Sequence, residues 1–385
     1  METAYRSSGK YDRHLYNPLV WLFALWGGIQ ILLLSRYGIV TELEAEKYIY
    51  EAEHLLAKGT VSSPNYWLYS VQICLIILSI KLKLGFVFVY LVQLFFSGLS
   101  LYYFFRLVAG ISNTATAFAI SLLLALNIPY QTFNCQLQTE SLFFSFTILL
   151  SCYVLRLTKL DIAATVRILL FLIVILFTRP TGLLFLPCVA IFLFFRFFSA
   201  YSVLLKSFIV IAVSFSFLYV LNKALGSGGQ LDFMLPFRDE RIICGVPTLP
   251  GFIPINTNDN PNSISGLLYY VTHNPDQFLR LAWLKTKSFF GATRPYYSST
   301  HNLFLCILYF PLYIFSLLSI SWWWNHNRNI LLYCLSLIMI TWLCVILTCD
   351  DWHNRFYLSI IPYFYILSVP AVKKLIHKLY SKHKQ

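Results

Sequence analysis

Residues 330–348 read ILLYCLSLIMITWLCVILT, nineteen positions without a charged side chain. A stretch of about 18–20 apolar residues is long enough to cross the hydrocarbon core of a bilayer as a helix. Apolar stretches at residues 302–321 and 356–372 lie on either side of it. The sequence therefore predicts three consecutive membrane-spanning helices in its last third.

The same pattern extends through the chain. Of its 385 residues, 58% are hydrophobic and 12% are charged, and the mean hydropathy is +0.67. This composition excludes a pair of soluble domains. It predicts a single all-α polytopic membrane domain over residues 1–385 with about ten transmembrane helices, at residues 18–35, 85–105, 115–130, 141–155, 165–178, 182–198, 207–222, 302–321, 330–348 and 356–372.

The distribution of basic residues predicts the orientation. The formal net charge is +13, and lysine and arginine are concentrated in short loops and at both ends of the chain. By the positive-inside rule both termini are cytoplasmic, which requires an even number of spans. Residues 66–84, YWLYSVQICLIILSIKLKL, are then a juxtamembrane helix within a first outer loop of residues 36–84. No basic–aromatic pattern indicates nucleic acid as a partner.

This topology places the polar residues suited to chemistry on one outer side of a cell membrane. Glu44 lies in TELEAEKYIYEAEHLL (residues 41–56), and a large outer loop of residues 223–300 is expected to cap a cavity. Titratable groups that converge on one face indicate an active site. The others predicted there are Glu140, Arg179 and the run DDWHNR, residues 350–355.

Each acidic candidate has a structural alternative. Glu44 and Tyr48 share a helix face, which suits a solvated amphipathic helix as well as a catalytic base at the membrane surface. Glu140 opens a span, where the helix dipole favours an acid for structural reasons alone. Arg179, in FTRPTG, is either an interfacial anchor or a ligand for an anion.

Two further clusters carry charge. Asp350, Asp351, His353 and Arg355 are compressed between two spans, and Arg355 is suited to hold a phosphate. A basic and aromatic segment precedes residue 302 and is either an interfacial anchor or an anion clamp; it contains Lys285, Lys287, Arg294, Tyr296, Tyr297 and His301.

The nine cysteines show no metal-binding spacing. A disulfide that involves Cys349 with Cys135 or Cys244 is compatible with the sequence, although nothing in the spacing supports it. Asp350 and Asp351 together are a weak signal for a divalent cation.

Four short motifs resemble the GT-C superfamily of integral-membrane glycosyltransferases. The similarity is greatest to bacterial relatives of the dolichyl-phosphate-mannose–protein mannosyltransferases, the glycosyltransferase family 39 type. Glu44 stands where that family usually has aspartate, and the large C-terminal soluble domain of some members is absent. The motifs are Glu44-Ala45-x-x-Tyr48…Ala52…Gly59, Thr139-Glu140-Ser141-Leu142-Phe143, Thr178-Arg179-Pro180-Thr181-Gly182 and Asp351…Arg355-Phe356-Tyr357-Leu358…Pro362.

The resemblance implies an inverting hexosyl- or pentosyltransferase in the cell membrane. It would move a sugar from a polyprenyl-phosphate-linked donor to a hydroxyl of a glycan, lipid or protein acceptor on the outer face. Glu44 is expected to be the general base and Glu140 a second catalytic residue. Substrate-binding roles are expected for Tyr48, Arg179, Lys287, Arg294, His301, Asp351 and Arg355.

No cofactor is indicated with certainty by the sequence, and a divalent metal is possible, with Asp350 and Asp351 as weak candidates for its ligands. Three other functions also stay open: a transporter or flippase for lipids, a polysaccharide polymerase or ligase, and a membrane partner without catalysis. A transporter is less favoured, because transporters often show repeated halves and carry ionisable groups at mid-membrane.

Overall fold

The computed structural model of the chain describes residues 12–197, 234–246 and 254–382, with isolated positions between 202 and 222. This described part is helical, and two isolated β-bridges are its only extended pairings. Three short 3-10 helices add to it, Pro64–Tyr69, Thr132–Cys135 and Pro180–Leu184. The α-helices are α1 (Asp12–Tyr37), α2 (Glu44–Lys58), α3 (Ser70–Lys81), α4 (Gly85–Ile111), α5 (Thr114–Ala125), α6 (Ile128–Gln131), α7 (Glu140–Leu155), α8 (Ile162–Thr178), α9 (Phe185–Phe197), α10 (Leu235–Arg238), α11 (Ile264–His273), α12 (Pro275–Gly291), α13 (Ser299–His326), α14 (Arg328–Leu347) and α15 (Arg355–Lys382).

Within the described residues, six helices are long and apolar enough to cross a membrane, and a bent pair brings the number to seven. The all-α class is therefore confirmed, and the chain has the character of a helical membrane protein. The predicted spans at 141–155 and 165–178 correspond to α7 and α8, which are apolar but shorter, and the one at 207–222 lies largely outside the described residues. The six helices cover Asn17–Tyr37, Gly85–Ile111, Pro180–Phe197, Ser299–His326, Arg328–Leu347 and Arg355–Leu379.

The ambiguous stretch after the first span forms a short helix. The α-helix α3 has 12 residues, so it rises only about 18 Å and is too short to cross a hydrocarbon core of about 30 Å alone. It packs on α2 through a shared apolar cluster that includes Ala45, Tyr48, Ala52, Ile73 and Ile76. The two helices after α1 thus bury their apolar faces against each other.

The span predicted at residues 115–130 is not one continuous helix in the structure, because the helix is broken there. Helix α5 ends at Ala125, and the chain bends by 64° before the helical segment Ile128–Cys135. The side chain of Asn127 accepts a hydrogen bond from the backbone N–H of Tyr130, and Pro129 stands in the first turn of α6. An N-cap followed by proline starts a new helix in a new direction.

The chain divides into two compact units. The first contains Met1–Phe192, Phe310–Leu337 and Ile361–Gln385, and the second contains Leu193–Tyr309 and Ile338–Ile360. The single domain expected from composition stays a prediction. In the predicted outer loop 223–300, the described part contains α10, α11 and α12.

A disulfide joins Cys244 to Cys349 in the second unit, across 105 residues of chain and with 5.3 Å between the Cα atoms. Beside it, the N–H of Cys244 donates to the carbonyl of Asp350 at 2.7 Å, and the N–H of Asp350 donates to the carbonyl of Ile242 at 2.8 Å. Cys135, the other possible partner, is a buried free thiol. The disulfide therefore ties the segment around Cys244 to the chain between α14 and α15.

We expect the disulfide to stabilise the second unit. Closing a loop of this length reduces the entropy of the unfolded chain by an amount equivalent to about 4–5 kcal/mol. The double variant Cys244→Ala/Cys349→Ala, which creates no new unpaired thiol, should therefore unfold in detergent at lower temperature than the unmodified chain. The control Cys74→Ala/Cys306→Ala removes two free thiols and should change little. Equal melting temperatures for all three proteins would contradict a stabilising disulfide.

Candidate functional site

A buried polar network holds the chain where α5 is broken. The side-chain oxygen of Gln131 accepts hydrogen bonds from Trp26 Nε1 at 3.1 Å, Gln30 Nε2 at 2.9 Å and Asn134 Nδ2 at 3.1 Å. The side-chain oxygen of Asn134 accepts from Ser141 Oγ at 2.6 Å. Buried polar groups require such partners, so helices α1 and α7 are tied together through the segment between α5 and α7. Sequence reasoning did not single out these residues.

The same segment is bound to the chain that leads into α2. The N–H of Val40 donates to the carbonyl of Cys135 at 2.8 Å, and the N–H of Leu137 donates to the carbonyl of Val40 at 3.0 Å. Gln93 of α4 donates to the carbonyl of Gln136 at 2.9 Å. This short parallel pairing fixes the residues just before α7 beside the residues just before α2.

Glu140 and Arg179 form a buried ion pair in the first unit. Arg179 Nη1 lies 2.6 Å from Glu140 Oε1, and the two residues are 8% and 1% exposed. Glu140 is the first residue of α7, as the sequence predicted, where the helix dipole favours a carboxylate. The guanidinium also lies 6.0 Å from the centre of the Phe143 ring. The two opposite charges thus compensate each other inside the protein, and the pair fixes the direction of the guanidinium.

The motif Thr178–Gly182 explains the position of Arg179. Helix α8 ends at Thr178, the N–H of Arg179 donates to the carbonyl of Ile175 at 3.0 Å, and Pro180 starts a 3-10 helix. A Cβ atom on Gly182 would lie 2.7 Å from that same carbonyl oxygen, so only glycine allows this close approach. The predicted helix break at Arg179 and Pro180 is present.

Tyr48 and Glu44 share the electrostatic environment of this ion pair. Tyr48 is 1% exposed, and burial raises the pKa of its hydroxyl; the charges of Glu140 and Glu44 raise this pKa further, and that of Arg179 lowers it. Glu44 is the first residue of α2, and its carboxylate lies 2.8 Å from Lys47 Nζ. The structure thus brings four of the predicted site residues together in one unit.

Glu51 is the buried carboxylate of α2, although Glu44 was the favoured candidate on that helix. Glu51 is 0% exposed, and it accepts hydrogen bonds from the backbone N–H of Ser62 at 2.7 Å and from the Ser62 hydroxyl. These contacts fasten α2 to the loop that follows it. Its role is therefore structural, whereas Glu44 keeps a partly exposed carboxylate.

The second unit contains another buried pair, Arg294 and Asp350. Arg294 Nη2 lies 2.7 Å from Asp350 Oδ2 and also donates to the carbonyl of Asp351 at 2.7 Å. Ser288 Oγ donates to the same Asp350 oxygen at 2.9 Å. Burial raises the pKa of the Asp350 carboxyl, and the charge of Arg294 opposes that rise. The anion that Arg294 binds here is a side chain of the protein.

Asp351 pairs with Arg355, the first residue of α15. Arg355 Nε lies 2.8 Å from Asp351 Oδ1 and Nη2 lies 2.7 Å from Oδ2, a two-pronged contact. Both aspartates proposed as metal ligands therefore face arginines. Among the residues that the structure describes, no group of three or more His, Cys, Asp or Glu could hold a metal ion, so the arrangement does not favour a cation at Asp350 and Asp351.

The basic segment places its residues in different settings. Lys287 is exposed, and His301 is exposed and stacks on Tyr297 at 4.3 Å between ring centres. Lys285 is 0% exposed; its Nζ donates to the carbonyls of Ile346 at 3.0 Å and Thr348 at 2.5 Å, at the carboxyl end of α14. The buried lysine of this segment is therefore Lys285, which caps a helix end. The anion-binding roles predicted for Lys287 and His301 stay predictions.

The structure divides the predicted site residues between its two units. Glu44, Tyr48, Glu140 and Arg179 belong to the first, and Lys287, Arg294, His301, Asp351 and Arg355 belong to the second. A single active site made of all nine stays a prediction. Comparison with protein-family models, with curated proteins and with solved structures finds no match for this chain.

We expect the Glu140–Arg179 pair to be strongly coupled. Arg179→Met leaves a buried carboxylate without its cation, so it should reduce the free energy of unfolding by about 3–5 kcal/mol. The double variant Glu140→Gln/Arg179→Met should reduce the free energy of unfolding by much less than the sum of the two single variants. Reversible unfolding in detergent measures the cycle. The partly exposed pair of Glu44 and Lys47 is the control, with an expected coupling below about 1 kcal/mol. Additive effects at Glu140 and Arg179 would refute the coupling.

We expect Lys285 to make stability depend on pH. Burial lowers the pKa of Lys285 from 10.5 to about 7. Between these values the unfolded chain binds a proton that the folded chain does not, so stability should rise with pH from about 7 towards 10.5. Lys285→Met should remove that rise, whereas Lys287→Met on the same helix should retain it. An unchanged pH profile in Lys285→Met would contradict the assignment.

Proposed function

We propose that the protein is a membrane glycosyltransferase of the GT-C type. It transfers a hexosyl or pentosyl group from a polyprenyl-phosphate donor to a hydroxyl of a glycan, lipid or protein acceptor on the outer face of the cell membrane. The observation that carries the proposal is the grouping of Glu44, Tyr48, Glu140 and Arg179, which come from three separate parts of the chain. Two carboxylates, a buried phenol and a buried guanidinium suit proton removal beside an anionic leaving group.

The proposed topology has ten spans and cytoplasmic termini. The 12-residue length of α3 supports the surface position of residues 66–84. The Cys244–Cys349 disulfide supports an outer position for its surroundings, because disulfides persist in oxidising compartments. Acceptor glycans and polyprenyl-linked donors would then be available on the side where the charge distribution places Glu44.

In the proposed reaction, Glu44 accepts a proton from the acceptor hydroxyl. The hydroxyl oxygen forms a bond to the anomeric carbon, the bond from that carbon to the phosphate oxygen breaks, and its electron pair leaves with the lipid phosphate. Because the acceptor oxygen attacks from the side opposite to the leaving phosphate, the configuration at the anomeric carbon is inverted. The contact of Glu44 with Lys47 is partly exposed, and such pairs contribute little free energy, so an acceptor hydroxyl displaces Lys47 easily.

The buried pair has a supporting role in this proposal. The leaving phosphate is already a stable anion, so it requires cations more than it requires a general acid. Arg179 supplies positive charge in an apolar setting, where it acts over a longer range than in water. Glu140 fixes the direction of that guanidinium and orients a sugar or acceptor hydroxyl. The phosphate contacts predicted for Lys287, Arg294 and Arg355 are not needed for this step.

The test replaces Glu44 with glutamine, which is similar in shape and cannot accept the proton. Because a general base contributes about 10²–10⁴-fold to the rate, Glu44→Gln should abolish one sugar addition. Mass spectrometry of surface glycans and glycolipids would compare a deletion strain that carries the unmodified protein or a variant at equal membrane abundance. Glu44→Asp, the residue usual in the resembled family, should retain part of the activity.

Glu53→Gln is the matched control, because Glu53 is an exposed carboxylate of the same helix; its glycans should be unchanged. Normal glycans in Glu44→Gln would exclude Glu44 as the base. If deletion of the protein also left the glycans unchanged while export of a lipid stopped, a flippase would replace the transferase. Accumulation of unpolymerised glycan units would instead indicate a polymerase or ligase.

A further inference from the structure

A groove with a volume of about 630 Å³ lies between α4, α7 and α8 in the first unit. Each helix contributes one stripe of residues at helical spacing. The stripe of α4 contains Phe96, Leu99 and Tyr103, that of α7 contains Phe146, Leu149, Cys152 and Tyr153, and that of α8 contains Ala164, Arg167 and Phe171. This volume is in the range of pockets that bind small organic molecules.

One end of the groove is cationic. Arg156, Lys159 and Arg167 line it there, and among the described residues of the lining Asp161 is the one that is acidic. The Asp161 carboxylate accepts a hydrogen bond from the backbone N–H of Ala164 at 2.7 Å, so it caps α8. Arg156 Nε is buried and has no hydrogen-bond partner in the part of the chain that the structure describes. The groove thus has an excess of positive charge at one end and an apolar lining along the rest of its length.

The dimensions of the groove match one leaflet of a bilayer. From Arg156 back to Phe146, α7 rises about 15 Å, which is half of a hydrocarbon core about 30 Å thick. Ser151 Oγ lies 2.9 Å from Tyr333 Oη, and Tyr333 stands in the second turn of α14, after Arg328. Tyr333 and Arg328 both belong to the first unit. The distribution of basic residues in the sequence places Arg328 and the cationic end of the groove on the cytoplasmic side.

We propose that this groove binds an anionic membrane lipid from the cytoplasmic leaflet, with its phosphate at Arg156, Lys159 and Arg167 and an acyl chain along the three aromatic and aliphatic stripes. The charge complementarity selects the headgroup, and the cytoplasmic leaflet carries the anionic lipids that basic pockets between helices bind. This site is distinct from Glu44, Glu140 and Arg179, and it does not depend on the proposed transferase activity.

Native mass spectrometry of the full chain in detergent tests the proposal. Phosphatidylglycerol and phosphatidylcholine with identical acyl chains are titrated separately, and we expect phosphatidylglycerol to bind at least about tenfold more tightly. The triple variant Arg156→Ala/Lys159→Ala/Arg167→Ala should lose that preference. The matched control Lys58→Ala/Lys81→Ala/Lys83→Ala removes the same charge at exposed positions and should retain it.

A second variant tests the channel without a change of charge. Leu99→Trp should obstruct the groove and reduce phosphatidylglycerol binding about tenfold or more, whereas Val87→Trp, at an exposed position of the same helix, should not. Equal binding of the two lipids to the unmodified chain would overturn the proposal, as would equal losses in the two triple variants. Complete displacement of the lipid by millimolar glycerol phosphate would also overturn it, since a headgroup anion alone would then account for binding.

Discussion

The backbone of a chain this apolar must satisfy its hydrogen bonds internally, and that constraint shapes the rest of the structure. Continuous helices meet it without help. At the break after α5, side chains bind backbone groups instead. Gln131 Nε2 donates to the carbonyl of Leu124 at 3.0 Å, and Asn127 Oδ1 accepts from the N–H of Tyr130 at 3.2 Å. The backbone N–H and carbonyl of Val40 form hydrogen bonds with the carbonyl of Cys135 and the N–H of Leu137, and so satisfy two further backbone groups of this segment. Glu140 is the first residue of the helix that restarts after this break.

Three buried carboxylates among the described residues are held in ion pairs with arginine. The nitrogen–oxygen distance is 2.6–2.7 Å in each of the three pairs, which are Glu140 with Arg179, Asp350 with Arg294, and Asp351 with Arg355. A lone buried charge would be far more destabilising than a paired one. Pairing also constrains function, because a guanidinium that already holds a carboxylate binds a further anion only with its remaining donors. Arg294, which also donates to Ser288 and to a backbone carbonyl, is thereby a structural residue.

Glu44, the proposed base, and Glu140, the carboxylate of the buried ion pair, have different environments. Glu44 is partly exposed at the start of α2, and an exposed contact such as that with Lys47 contributes little free energy. Glu140 is buried and directs Arg179. Tyr48 lies within the electrostatic reach of both, in the apolar cluster that joins α2 to α3. A transferase of the proposed type requires both an accessible base and a fixed cation.

The sequence by itself determined the helical membrane class and the approximate positions of the long apolar helices, because hydrophobic length, proline and glycine act locally. It predicted that α7 begins at Glu140 and that the chain breaks at Arg179 and Pro180. It also predicted a juxtamembrane helix at residues 66–84, where the structure has the 12-residue helix α3. Only the tertiary structure decided which charged residues pair: Arg179 binds Glu140, and Arg294 binds Asp350. It also decided that Cys349 forms its disulfide with Cys244 rather than with Cys135. Lys285, and not Lys287, is the buried lysine of the segment before residue 302. Those outcomes depend on contacts between residues far apart in the chain, and no local pattern of residue types encodes which of several chemically equivalent partners will meet.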